Sequence, residues 1–267
     1  MAALETAGLW LAVTGYALAL LASLRHWRRP QAMLGFAAVA IGLHTAVLAL
    51  RWARLGHGPF TTMHEVLSSN AWSLALVFSL AAWRVASLRA GAPAAFGVVV
   101  LLGAWALASN DAPGHFPATY GTWLLYAHAV LGKLFLGLAL AAVALSAVVL
   151  ERRWRGAADR FATLAPDASL DAQSAWFLRA AFVFHTLMLV AGAVWAQDAW
   201  GRYWDWDPLE TWAFLTWLVL ALALHLRAAA RPAPVVNAGM AIAAFVIAFL
   251  TFFGVPFVAV APHQGAI

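Results

Sequence analysis

Hydrophobic and polar positions form long alternating blocks along this chain, in which apolar runs are separated by short polar segments. A helix that crosses the hydrocarbon core of a bilayer needs about 20 predominantly apolar residues, and the runs are close to that length. They lack the strict alternation of apolar and polar residues that is typical of outer-membrane barrels. The pattern therefore predicts an all-α integral membrane protein, a bundle of about eight transmembrane helices at about 7–24, 31–50, 66–87, 94–109, 122–149, 176–195, 212–227 and 235–257.

Composition supports a membrane protein and limits its chemistry. Of the 267 residues, 64% are hydrophobic and 10% are charged, which lies outside the range of soluble globular domains. We interpret the whole chain, 1–267, as a single membrane domain in contact with the lipid bilayer. The chain contains no cysteine, so any thiol chemistry in which it takes part must come from a partner.

The arginines predict the orientation of the bundle. One set of alternate connections holds nearly all of them, and the other set holds only Arg51, Arg54 and Arg202. Because short cytoplasmic loops carry the excess of basic residues, the arginine-rich set is predicted to be cytoplasmic, and both termini are predicted on the outer, periplasmic-type side. The net charge of +5 is explained by this topology, so we predict no binding of nucleic acid.

The most unusual stretch is Trp195–Trp212, here called the Trp-rich segment, which reads W-A-Q-D-A-W-G-R-Y-W-D-W-D-P-L-E-T-W. A belt of interfacial tryptophans is one interpretation, since indole rings are enriched at membrane surfaces. A belt, however, spreads over both surfaces, whereas four tryptophans lie here within Trp200–Trp212 on the predicted outer side. The segment therefore indicates a surface for a large, flat, apolar ligand.

The polar residues of the Trp-rich segment have separate predicted roles. Asp207 precedes Pro208, so its carboxylate is expected to accept backbone amides where the next helix begins, and Glu210 favours the same positively polarised end. Arg202 is the only basic residue of the segment. It is the predicted partner for an anionic group of the ligand, such as a propionate.

Histidines supply candidate iron ligands. His128 and His263 both fall at the predicted outer side, at the level of the Trp-rich segment, and two axial imidazoles can hold a haem between them. The alternative for each is a solvated or capping residue. His225 lies near the cytoplasmic end of its span, where it can either ligate a second haem or act as an interfacial histidine beside Arg227.

Three ionisable residues fall at membrane depth in the predicted spans. His44 and His185 can form hydrogen bonds between helices or ligate a metal, and the sequence leaves both options open. Lys133 lies too deep to reach the surface easily. We expect it to pair with another group or to face a cavity.

These residues resemble a known family, the CcsA (ResC) subunit of system II cytochrome c biogenesis, whose members carry a "WWD" haem-handling domain. The likeness extends over about 50–265. It is strongest in G-A-V-W-A-Q-D-A-W-G-R-Y-W-D-W-D-P-L-E-T-W, and the ending D-P-x-E-T differs from the Asp-x-Arg-Leu-Thr ending of the related CcmC subunits. Four further segments also resemble the family: the loop with Arg51–Trp52, Gly56–His57, Pro59 and Glu65, and the segments Trp123–His128, Leu224–Arg227 and Pro262–His263.

The resemblance implies that the subunit receives haem b from the cytoplasmic side and presents it at an outer site. The implied outer iron ligands are His128 and His263, and the implied inner ligand is His225, with a second ligand from a CcsB (ResB) membrane subunit. The remaining residues implied to bind haem are Trp200, Arg202, Tyr203, Trp204, Trp206, Asp207 and Trp212.

With the CcsB subunit, the resemblance implies a holocytochrome c synthase, or haem lyase, that attaches haem to the CxxCH motif of an apocytochrome c. A thioredoxin-like protein would keep those thiols reduced. No catalytic residue is implied beyond those that position the haem. The expected location is the bacterial cytoplasmic membrane, with the thylakoid membrane as the alternative.

Two other functions stay open at this point. The first is a membrane di-haem b-type electron-transfer protein that uses His44, His185 and His225 as permanent ligands. Transmembrane b-type cytochromes often place two ligating histidines on one helix, and no predicted span carries such a pair. The second is a non-catalytic scaffold of the WWD family.

Overall fold

The structure is a computed structural model, and it describes residues 1–153 and 159–258. The described chain is helical and contains no strand. Within it, eight helical segments are long and apolar enough to cross a membrane, which confirms the predicted fold class. The long helices are α1 Ala2–His26, α2 Gln31–Leu55, α3 Met63–Arg84, α4 Ala92–Ala108, α5 Trp123–Glu151, α6 Asp167–Trp200, α7 Pro208–Ala229 and α8 Pro234–Phe253, and a short α9 covers Val255–Val258.

Helix α6 corrects two predicted boundaries. It begins at Asp167 and ends at Trp200, so the last nine residues of the connection between the spans predicted at 122–149 and 176–195, and the first residues of the Trp-rich segment, are helical. Pro166 precedes it, Asp167 complements the helix dipole in its first turn, and Gly201 ends it in the left-handed conformation at φ 77°. At 34 residues, α6 is about 50 Å long, so it extends beyond the ~30 Å hydrocarbon core.

Helix α5 lies at the centre of the bundle, where it packs mainly against α6, α8 and α3. Most of its apolar stretch is buried. Small residues let the backbones approach closely, as is typical of packed membrane helices. At Gly91, for example, a Cβ would collide with the backbone of Ala144.

Ion pairs between largely buried side chains join α1, α2 and α3 at the end of the bundle that carries the Trp-rich segment. Arg51 Nε donates to Glu65 Oε1 at 2.8 Å, and Arg54 Nε donates to Glu5 Oε1 at 2.6 Å. Glu65 also accepts hydrogen bonds from the backbone and hydroxyl of Thr61. Because these charges are paired and hydrogen-bonded, their burial is compensated.

A second polar cluster joins α6, α7 and α8 at the opposite end. Arg227 Nη1 donates to Asp171 Oδ1 at 2.7 Å, and Asn237 Nδ2 donates to Asp171 Oδ2 at 2.8 Å. This cluster fixes the end of α7 on which His225 lies. The assignment of this end to the cytoplasm remains a prediction from the arginine distribution.

Candidate functional site

The Trp-rich segment is a helix end, a short irregular stretch and a helix start. Asp207 is the N-cap of α7, and its Oδ1 accepts a hydrogen bond from the Glu210 amide at 2.8 Å, as predicted. Glu210 Oε2 in turn accepts from the Asp205 amide at 2.7 Å. Between them Trp206 adopts a positive φ of 59°, a strained conformation for a bulky residue that is kept only where the surroundings impose it.

Ring contacts hold a first aromatic cluster at the end of α6 and a second one beside the start of α7. Trp195 and Trp200, at the end of α6, lie with ring centroids 4.9 Å apart, and Trp195 packs edge-on against Tyr120 at 5.0 Å. Trp204 and Trp206 pack against each other at 5.7 Å, and both contact Phe214 of α7. Burial raises the pKa of the Tyr120 phenol, so this ring contributes a neutral aromatic surface.

His128 lies beside the first cluster, and the structure fixes its orientation. Its Nδ1 is 2.9 Å from the carbonyl oxygen of Met188 in α6, so the neutral ring donates from Nδ1 and carries its lone pair on Nε2. The ring is roughly parallel to that of Trp195 at 6.1 Å. It fits against α6 because residue 192 is glycine: a Cβ at Gly192 would lie 2.7 Å from His128 Nδ1.

An apolar cleft with a cavity volume of about 190 Å³ opens beside His128, and we call it the Trp cleft. Trp204 lines it, and the Nε1 of this residue is buried without a hydrogen-bond partner among the described residues. The other lining residues include Met188, Gly192, Trp195, Tyr203, Leu209, Glu210, Thr251, Phe252 and Pro256.

A second cleft, with a cavity volume of about 180 Å³, adjoins the first, and we call it the lysine cleft. The two clefts share four residues of their walls: His128, Trp195, Leu209 and Phe252. Lys133 lines the second cleft, and its Nζ donates to Ser69 Oγ at 2.8 Å. The expectation that Lys133 pairs with a group or faces a cavity is therefore confirmed.

The other predicted haem-contacting residues lie in different surroundings. Of those in the Trp-rich segment, Tyr203 and Trp204 line the Trp cleft. Arg202 is outside that lining and forms a surface ion pair with Asp205 at 2.7 Å. Trp200 packs in the first aromatic cluster, Trp206 and Trp212 are exposed, and His263 lies outside the described residues.

His225 lies on the outside of the bundle. Its side chain is exposed on α7, and α7 is the long helix least covered by the rest of the described chain. Arg227, two residues later, is buried by its contacts with Asp171 and Asn237. The contacts of Arg227 therefore hold this end of α7 in place, while the side chain of His225 remains accessible to a neighbouring molecule or to lipid.

His44 and His185 are both fully buried but have different surroundings. His44 Nδ1 is 3.1 Å from Tyr16 Oη, and its Nε2 is 2.9 Å from Ser68 Oγ, so both ring nitrogens join helices through hydrogen bonds. His185 stacks on Phe135 at 4.2 Å and has no hydrogen-bond partner among the described residues.

Sequence reasoning missed several residues that shape this site. The carbonyl of Met188 and the absence of a side chain at Gly192 determine how His128 is held, and neither has a signature in a single sequence. Phe252 lines both clefts, but in the sequence nothing distinguishes it from the other apolar residues of α8. Lys133 was the one available signal for the second cleft, because a lysine at membrane depth is costly.

Comparison with known proteins identifies the family. The family model described as Cytochrome C assembly protein matches residues 60–263. The cytochrome c biogenesis protein CcsA of Synechococcus sp. (strain CC9605) is 32% identical over 241 residues, which cover 78% of this chain and 79% of that protein.

Two further relatives carry the same name. The Chlamydomonas reinhardtii protein is 30% identical over 74% of this chain and 57% of its own length. The Coffea arabica protein is 41% identical over 95 residues, which cover 36% of this chain and 30% of the coffee protein. This chain therefore belongs to the cytochrome c assembly protein family, and it is a multi-pass membrane protein for which family membership supports a role in cytochrome c biogenesis.

Proposed function

We propose that the chain presents haem b at the Trp cleft for covalent attachment to the CxxCH motif of an apocytochrome c. The observation that carries the proposal is His128, whose Nδ1 is held by the Met188 carbonyl at the wall of an apolar, aromatic-lined cleft. This arrangement suits haem iron, since a ligating histidine commonly donates its other nitrogen to a backbone carbonyl.

His263 is the proposed second axial ligand. It lies outside the described residues, but Pro256 lines the Trp cleft seven positions earlier in the sequence. Seven residues can extend up to about 24 Å, so the chain length would allow an imidazole from this segment to reach a haem held at His128. Trp204 and Tyr203 would contact the macrocycle from the cleft wall.

His225 is the proposed ligand of an inner haem, with the second ligand from a CcsB-type subunit. The support is its exposure on α7, which the rest of the described chain leaves largely uncovered. A partner helix that packs on α7 can reach the imidazole without disturbing Arg227 and its contacts. Haem would pass from this site to the Trp cleft before attachment.

Attachment of haem to the cysteine thiols requires the reacting groups to be positioned, more than it requires acid or base catalysis. Each thioether forms when a cysteine S–H adds across a haem vinyl group: sulfur bonds to one carbon and hydrogen to the other, with no net change of oxidation state. The chain's residues would hold the ring in one orientation and keep the vinyl groups near the thiols. Because the chain has no cysteine, a thioredoxin-like protein would keep the substrate thiols reduced.

The test is a maturation assay in a bacterium that lacks its own cytochrome c maturation genes. We expect a reporter apocytochrome c to acquire covalent haem when this chain is produced together with a CcsB-type subunit. A reporter in which both CxxCH cysteines are replaced by alanine is the negative control. Covalent haem on the intact reporter when this chain is omitted would show that another protein performs the attachment.

The proposed location is the bacterial cytoplasmic membrane. Relatives from cyanobacteria and from a green alga keep the thylakoid membrane as the alternative. Fractionation of the source cells, followed by detection of the chain in separated membranes, distinguishes the two.

A further inference from the structure

The two clefts around His128 carry opposite charges. Among the described residues that line them, Glu210 is the only acid and belongs to the Trp cleft alone, whereas Lys133 is the only lysine or arginine and belongs to the lysine cleft alone. A ligand held at His128 would therefore meet a carboxylate on one side and an ammonium on the other. The remaining lining is mostly apolar, so these two charges are expected to act strongly on any charged group of the ligand.

Lys133 has binding capacity that the described part of its chain does not use. An ammonium has three donors, and the one hydrogen bond that Lys133 makes among the described residues goes to Ser69. Among the described residues no carboxylate lies within ion-pair distance of it. One hydrogen bond to a hydroxyl does not offset the cost of an ammonium at membrane depth, which normally pairs with a charge or with several carbonyls.

Asn70 indicates that a hydrogen-bond donor, such as an ordered water, belongs in the same cleft, because its side-chain oxygen accepts hydrogen bonds and an ionised carboxylate cannot donate one to it. Such a water can also donate to a bound carboxylate. The residue is 95% buried, since only 5% of its surface is exposed. Its Nδ2 donates to the Val66 carbonyl at 2.8 Å. Its Oδ1 has no hydrogen-bond partner among the described residues, and a buried carbonyl of this kind is normally satisfied.

The position of Lys133 suits a group attached to a ligand at His128. Both residues lie on α5, and Lys133 follows His128 by five residues, which is about 7.5 Å along the helix axis. It is ten residues from the first residue of α5, so it lies about 15 Å from that helix end. A free anion is disfavoured at this depth. An anionic group can reach Lys133 only as part of a largely apolar molecule that packs against the aromatic residues of the clefts.

We propose that the lysine cleft binds a carboxylate of the molecule held at His128, and that this carboxylate is a haem propionate. The inference rests on the proposed function, because it takes haem as the ligand. Haem combines a flat apolar ring with propionates along one edge, and Glu210 repels that edge from the Trp cleft. The vinyl groups, on the other part of the ring, are thereby directed toward the Trp-rich segment.

The experiment measures the preference for haem over haem dimethyl ester, in which both propionates are uncharged. Purified protein that carries His225→Ala, which removes the proposed inner haem site, is titrated in lipid nanodiscs with each compound and followed by the Soret absorption. This background serves as the wild type for the other variants. The ratio of the two dissociation constants is compared between wild type and Lys133→Met, which removes the charge but keeps the length and apolar character of the side chain. Differences in how the two porphyrins partition into lipid cancel in this comparison.

We expect Lys133→Met to reduce the preference for free haem by about tenfold to a hundredfold, the range for a charge-assisted hydrogen bond. Lys133→Arg should keep most of the preference for free haem, because it keeps the positive charge. Arg202→Met removes the arginine that the sequence predicts as the propionate partner, and its effect on the same ratio of dissociation constants is measured for comparison. A preference that is unchanged in Lys133→Met, or lost only in Arg202→Met, overturns the inference.

His128→Ala separates this inference from the proposed function. If His128→Ala loses both porphyrins while Lys133→Met keeps the wild-type preference, haem binds at the proposed site but the lysine cleft does not hold its propionate. If His128→Ala binds both porphyrins as the wild type does, the proposed function fails and the inference fails with it. A thermal unfolding curve for each variant in nanodiscs checks that the bundle is intact.

Discussion

Replacement of His128 by alanine is expected to abolish cytochrome c maturation, with the yield of covalent haem on a reporter reduced more than about a hundredfold. Loss of an outer-shell partner of a metal site already costs about tenfold to a hundredfold, so loss of the ligand itself should cost more. The Met188 carbonyl would remain in place but would no longer accept a hydrogen bond from an imidazole. Haem staining of the reporter, normalised to reporter protein, measures the effect, and His263→Ala should behave in the same way.

Two controls make this prediction specific. His115→Ala removes an exposed histidine from the segment between α4 and α5 and should leave the yield unchanged. Imidazole added to the His128→Ala culture should restore part of the yield, because the small molecule can occupy the space left by the side chain and donate its lone pair to iron. A His128→Ala variant with full yield would exclude His128 as a required ligand.

Replacement of Gly192 by alanine is expected to reduce maturation about tenfold to a hundredfold, although no atom that contacts haem is removed. The added Cβ would lie 2.7 Å from His128 Nδ1, too close for contact, so the imidazole must move and lose its hydrogen bond to Met188. Displacement of a positioned group by about 1 Å can cost a hundredfold in rate. The same reporter assay measures the loss.

Gly239→Ala is the matched control for this prediction. Gly239 lies within α8, and a Cβ there meets no atom within 4 Å. In a helix interior, alanine is favoured over glycine by about 0.5–1 kcal/mol, so both substitutions improve local helix propensity, and only Gly192→Ala should lose activity. Equal yields for the two variants would mean that the tight fit of His128 against α6 has no functional role.

Much of the fold is predictable from the sequence because a bilayer constrains it strongly. Every backbone polar group in the hydrocarbon core must be satisfied within its own helix, so apolar runs of sufficient length report the helices directly. Boundaries were less accurate where helices continue into the interface. Helix α6 begins at Asp167, after Pro166, and ends at Trp200, before Gly201. These two flanking residues set its ends, and the hydropathy pattern does not mark them.

The site is only partly predictable, for a different physical reason. His128 and the Trp-rich segment stand out by residue type, and the capping role of Asp207 follows from its position before Pro208. The two clefts depend on how α3, α5, α6 and α8 pack, which periodicity does not specify. Lys133 could be recognised as anomalous from its depth alone, but Ser69 and Asn70 could not be assigned to it without the fold.

The central claim, that His128 ligates haem iron at the Trp cleft, is tested most directly by the absorption and resonance Raman spectra of purified protein loaded with haem. The His225→Ala background removes the contribution of an inner haem. We predict a six-coordinate low-spin spectrum in that background, and either a shift to high spin or loss of haem when His128→Ala is added. An unchanged low-spin spectrum with full haem content in the double variant would contradict the claim.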